Sequence, residues 1–72
     1  MTDTEQARMT GEEHGWAHAA YVDACGADPA MFLDEIIAMT RPGWITSDRE
    51  QWAYRDGFDA GMESYAFDTA ES

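Results

Sequence analysis

Two interruptions constrain this chain more than any other feature: Gly26 to Pro29, and Arg41-Pro42-Gly43. Each joins a proline to a glycine, a pairing that ends a helix and has no place in a central strand. They cut the 72 residues into three segments, and each segment reads at helical rather than strand period. The first starts at a capping box, Thr10 with Glu13, and runs to about Cys25, with Gly26 as its C′ residue. The second opens on Asp28-Pro29, an N-cap followed by proline at the first helical position, and ends near Thr40. The third, Ser47 to Ala66, opens on another capping box, Ser47 with Glu50. Three helices with short loops predict an all-α fold, an antiparallel three-helix bundle. Residues 1–9 are expected as a flexible N-terminal segment ahead of a single domain over 10–72, with 67–72 frayed.

A wheel of 100° per residue assigns the faces. On the third helix Tyr54, Phe58, Gly61, Met62 and Tyr65 gather as a core stripe. Asp48, Asp56, Asp59 and Glu63 gather opposite, with Trp52 among them. On the second, Phe32, Leu33, Ile36, Ile37 and Met39 share one arc and are expected to be the hydrophobic centre, with Trp44 and Ile45 folded over it. The first helix has a weaker arc of Ala17, Ala20, Tyr21, Ala24 and Cys25, with Trp16 on its polar side. Cys25 is expected as a buried, inert thiol. Ala53, Gly57, Ala60 and Gly61 make a small-residue strip. Each glycine costs about 1 kcal/mol against alanine inside a helix, so close packing of another backbone is expected there. The partner is the alanine-rich first helix, a second copy or a foreign protein. A short pattern, W-A-x5-D-A, occurs at Trp16 and again at Trp52.

Fifteen acids against four arginines give a formal charge of -11, and lysine is absent. That balance argues against direct nucleic-acid binding, which rests on Lys and Arg, and against an anionic membrane. It fits a basic surface on another protein; acidity that serves only solubility is the plainer reading. A single cysteine excludes an internal disulfide framework, and no apolar run approaches a membrane span of ~18 residues. The expected place is therefore the cytoplasm, or the host cytoplasm if the chain is phage-encoded.

No catalytic arrangement emerges. Neighbouring carboxylates such as Glu12 and Glu13 diverge around a helix, and there is no phosphate loop or nucleophile–base pair. An enzyme is not expected, nor a cofactor. His14 and His18, spaced i, i+4, are weak candidates for a metal or for a pH-responsive pair; a structural role is the simpler reading. Tryptophans amid polar groups are common binding anchors. Trp16, Asp48, Trp52, Asp56, Asp59 and Glu63 are accordingly the candidate partner-binding residues, with core packing as the competing reading of Trp52.

In size, lysine-free composition and the acids Asp48, Asp56, Asp59 and Glu63 along one helix, the chain resembles small acidic phage-encoded inhibitors, including anti-CRISPR and DNA-mimic proteins. The resemblance implies a protein–protein interaction module that blocks the basic, nucleic-acid-binding groove of a larger protein or nucleoprotein complex. The alternative is a self-associating structural or accessory protein of a phage or GC-rich bacterium, a homodimer through Ala53, Gly57 and Gly61.

Overall fold

The computed structural model describes residues 2–70, and among them three helices and no strand: α1 (Asp3–Cys25), α2 (Leu33–Thr40) and α3 (Asp48–Ala70). The fold is the expected small all-α bundle, but its weight lies elsewhere. The two long helices, α1 and α3, pack along each other over most of their length, and α2 is only a short cover on one side. Arg8 faces Gly57, Glu12 faces Gly61 and Trp16 meets Tyr65, so α1 and α3 run parallel. That is the order an antiparallel three-helix bundle requires, with the return limb between them running the opposite way. That limb leaves the level of His18, which touches Pro29, and reaches the level of His14 at Thr40.

Four glycines explain how the long helices meet. On α1 the buried positions are Ala7, Gly11, Gly15 and Ala19, a ridge repeating every four residues. On α3 they are Tyr54, Gly57, Phe58 and Gly61. A Cβ on Gly11 would fall well under 3.0 Å from the Tyr54 carbonyl oxygen, and one on Gly15 as close to that of Phe58. In return, Gly57 abuts the carbonyl of Arg8, and Gly61 that of Glu12. Backbone lies against backbone on both sides of the seam, and α3 supplies the volume with Tyr54 and Phe58, both fully buried.

That geometry corrects the arc assigned to α1. Its contact ridge contains no large side chain, so hydrophobic patterning pointed to the wrong sector, and Ala17, Tyr21, Ala24 and Cys25 are exposed. Cys25 is thus an exposed thiol on the last residue of the helix, not a buried one. The helix also starts earlier than Thr10. Thr2 is its N-cap and accepts from the Glu5 amide at 3.2 Å, a Thr-x-x-Glu start that places residues 3–9 in α1 with Ala7 fully buried. Residues 3–9 thus belong to α1, ahead of the start expected at Thr10; Met1 lies outside the described residues.

Asp28 caps a turn rather than a helix: its Oδ1 accepts from the Ala30 amide at 3.0 Å. The chain then passes through Phe32 with a left-handed backbone, φ 56°, before α2 begins. As a result the α2 arc is only half used. Ile37 is buried and Leu33 and Ile36 partly so, whereas Phe32 and Met39 are 69% and 79% exposed. The hydrophobic centre is instead Ala7, Ile37, Ile45, Tyr54 and Phe58, drawn from every element. Ile45 does fold over this core, as expected, while Trp44 stays largely exposed.

The start of α3 matches its reading. The Glu50 amide donates to Ser47 Oγ at 3.2 Å, and Glu50 Oε1 accepts from Ser47, a closed capping box. At the other end α3 runs on through 67–70, where fraying was expected; Glu71 and Ser72 lie outside the described residues.

Candidate partner-binding surface

The buried stripe of α3 turns its opposite side outward, and Asp48, Trp52, Asp56, Asp59 and Glu63 are all exposed there. Trp52 is 73% exposed, which decides against its use as core. Within this set Asp56 is already engaged, because Arg8 Nη1 reaches across the seam to its Oδ2 at 3.0 Å, while Arg8 Nε lies 3.8 Å from Glu12. Among the described residues Asp48, Asp59 and Glu63 make no ion pair.

The two tryptophans fall in different grooves on either flank of α3. Trp52 and Asp48 border a hollow of about 460 Å³ between α2 and α3, whose wall includes Arg41, Arg55, Asp34 and Ile37. Arg55 is paired with Asp34 there, so the hollow carries as many cations as anions. Trp16 lies on the α1–α3 seam, in a groove of about 560 Å³ with Glu12, Glu13, Ala60, Gly61 and Ser64. That wall holds carboxylates and no cation. Tyr65 stands edge-on to the Trp16 indole, with centroids 5.1 Å apart, and Trp16 Nε1–H donates to Asp68 Oδ2 at 3.4 Å. The same Tyr65 donates its hydroxyl to Asp23 at 2.7 Å. That bond, with some burial and the Asp23 charge, raises the Tyr65 phenol above its ordinary value of 10.0.

The W-A-x5-D-A pattern is thus not a structural repeat. Trp16 and Asp23 are both held by Tyr65, whereas Trp52 and Asp59 stand on the open side of α3. Nothing in a four-residue match distinguishes those settings; the flanking Gly15 and Gly57, which fix how each helix faces the seam, do.

His14 and His18 serve the cover formed by the return limb. Thr40 donates to the Ile36 carbonyl at 2.9 Å, so Thr40 Oγ1 must accept from the Tyr54 hydroxyl at 2.8 Å. Tyr54 in turn accepts from His14 Nδ1–H at 2.7 Å, the one set of proton positions that satisfies all three contacts. Burial raises the Tyr54 phenol above 10.0, against the opposing pull of the Arg41 charge. His18 Nε2–H donates to the Pro29 carbonyl at 3.1 Å and its ring leans on Phe58. Among the described residues no group of three or more His, Cys, Asp or Glu is gathered as a metal site requires.

The small-residue strip meets its partner inside the chain. Gly57 and Gly61 are covered by α1, the first of the partners expected for the strip, so these two glycines are not themselves open to a second copy. Sequence reasoning missed the matching strip on α1. The signal was present as Ala7, Gly11, Gly15 and Ala19, spaced four apart in the same phase.

No protein-family model matches the chain, and comparison with curated proteins and with solved structures finds no match. No described helix is long and apolar enough to cross a membrane.

Proposed function

We propose that the chain is a small acidic interaction module that occupies a basic, nucleic-acid-binding surface of a larger protein and so inhibits it, as DNA-mimic proteins do. The observation that carries this reading is the outward face of α3. Asp59 and Glu63 stand exposed with no cation partner among the described residues, with Asp48 at the edge of the charge-balanced hollow, around a tryptophan that is 73% exposed. Uncompensated acids attract a basic surface over a Debye length of about 8 Å at physiological salt. An exposed indole supplies the apolar contact that charge alone does not.

Charge density bounds the imitation. The folded chain is 36 Å long, and duplex DNA of that length carries roughly 21 charges at about one per 1.7 Å. The whole chain carries a net -11, about half as many, so it matches part of a nucleic-acid footprint.

Capture from a nuclease-treated host lysate tests the reading. The expected catch is a nucleic-acid-binding protein retained by the wild-type chain and lost with Asp59→Lys plus Glu63→Lys. Asp56 is left untouched because its charge also ties α3 to Arg8. Equal capture by the charge-reversed variant overturns the proposal.

A further inference from the structure

We infer that the groove beside Trp16 is where the partner inserts an arginine side chain. The inference rests on the interaction reading above and locates its anchor on the α1–α3 seam, at Trp16 rather than at Trp52.

The seam itself shows how a guanidinium is held. At its lower step Arg8 lies between Glu12 of α1 and Asp56 of α3. One helical turn further along, the corresponding residues are Glu12 and Trp16 on α1 and Ala60 and Ser64 on α3, with Glu13 at the rim. Two carboxylates and an indole line this step; Glu12 also lies 3.8 Å from Arg8, while Glu13 makes no ion pair among the described residues. Because Ala60, Gly61 and Ser64 are small, the floor stays open as a groove of about 560 Å³. A guanidinium fits such a wall better than an ammonium. It is planar, lies flat against an aromatic ring, and donates to two carboxylate oxygens at once.

Two further features prepare the site. The indole is fixed in advance, edge-on to Tyr65 and bonded through Nε1–H to Asp68, so little side-chain freedom is lost on binding. Neither long helix has a basic residue in its last turn, so no cation from either C-terminal end competes for the groove. By contrast, the hollow beside Trp52 is already balanced, its Asp34 and Asp48 matched by Arg41 and Arg55.

The test titrates the labelled full chain with a short, end-blocked oligo-arginine peptide at low salt, following the indole N–H resonances of Trp16, Trp44 and Trp52. The expected result is a saturable shift at Trp16 ahead of the other two. Ser64→Trp, which fills the groove from an exposed position, and Glu12→Gln plus Glu13→Gln should each weaken binding by about two- to fivefold or more. Oligo-lysine of equal length should bind more weakly. Binding that shifts Trp52 first, ignores Ser64→Trp, or treats lysine and arginine alike overturns the groove while leaving a basic partner intact. No binding at any indole overturns both the groove and the interaction reading.

Discussion

The carbonyl oxygen of Phe58 lies where a Cβ on Gly15 would have to go. One missing carbon thus sets the distance between the two long helices, and through it the position of every residue on the seam. Gly11, Gly57 and Gly61 repeat the relationship against Tyr54, Arg8 and Glu12.

Gly15→Ala is therefore expected to destabilise the protein, although alanine gains about 1 kcal/mol of helix propensity over glycine. The obstacle is backbone, not a flexible side-chain end, so the helices must separate and uncover Phe58. A net loss of about 1–3 kcal/mol follows, as for other overpacked interiors. Thermal or urea unfolding measures it, and a melting temperature that rises would contradict the packing described.

Tyr54→Phe removes the hydroxyl that joins His14 to Thr40. The expected cost is about 1–2 kcal/mol, for the lost bonds and the stranded imidazole donor. The wild-type phenol also makes stability depend on alkaline pH. Its folded-state pKa lies above 10.0, so past pH 10 the unfolded chain gives up the phenolic proton first. The unfolded state then binds fewer protons, and stability falls as pH rises. The contribution is complete below pH 10 and lost as pH climbs through the folded value. Tyr65, raised by its bond to Asp23, acts with the same sign. Unfolding curves on both sides of pH 10 should show Tyr54→Phe with the shallower alkaline decline.

Phe32→Gly is expected to stabilise. Phe32 holds a φ of 56° with its ring 69% exposed, so the substitution loses little burial. A left-handed backbone costs a side-chain-bearing residue roughly 1–2 kcal/mol, and glycine's extra unfolded-state freedom returns part of that. A net gain of about 0.5–1 kcal/mol in denaturant unfolding is the expected outcome.

Ser47→Ala opens the capping box at the start of α3 and should lower stability by about 1 kcal/mol, read from the same unfolding curves. Ser47→Asp should restore most of it, since a carboxylate caps as well and suits the helix N-terminus.

Local chemistry made the fold class legible. Prolines and glycines at 26–29 and 41–43 mark where helices cannot run, and the Ser47 box and the Tyr54–Phe58 stripe stand as read. The helix pairing was hidden because the α1 contact ridge is built from residues without bulk. Hydrophobic periodicity weighs side chains, and here the contact is made by their absence at Gly11 and Gly15. The Thr2 cap was overlooked in a polar segment whose only buried side chain among the described residues is Ala7. For the candidate surface, the exposed acids of α3 follow from its wheel phase. The separation of Trp16 from Trp52 does not, because it depends on which helices flank each ring.

The acidic face of α3 is proposed to take the place of nucleic acid on a basic protein. The most direct measurement is the affinity for the captured partner across a salt series, with and without competing duplex DNA. Binding is expected to weaken steeply as salt rises and to be displaced competitively by DNA. Binding unchanged by salt, or a partner that holds this chain and DNA at once, would contradict it.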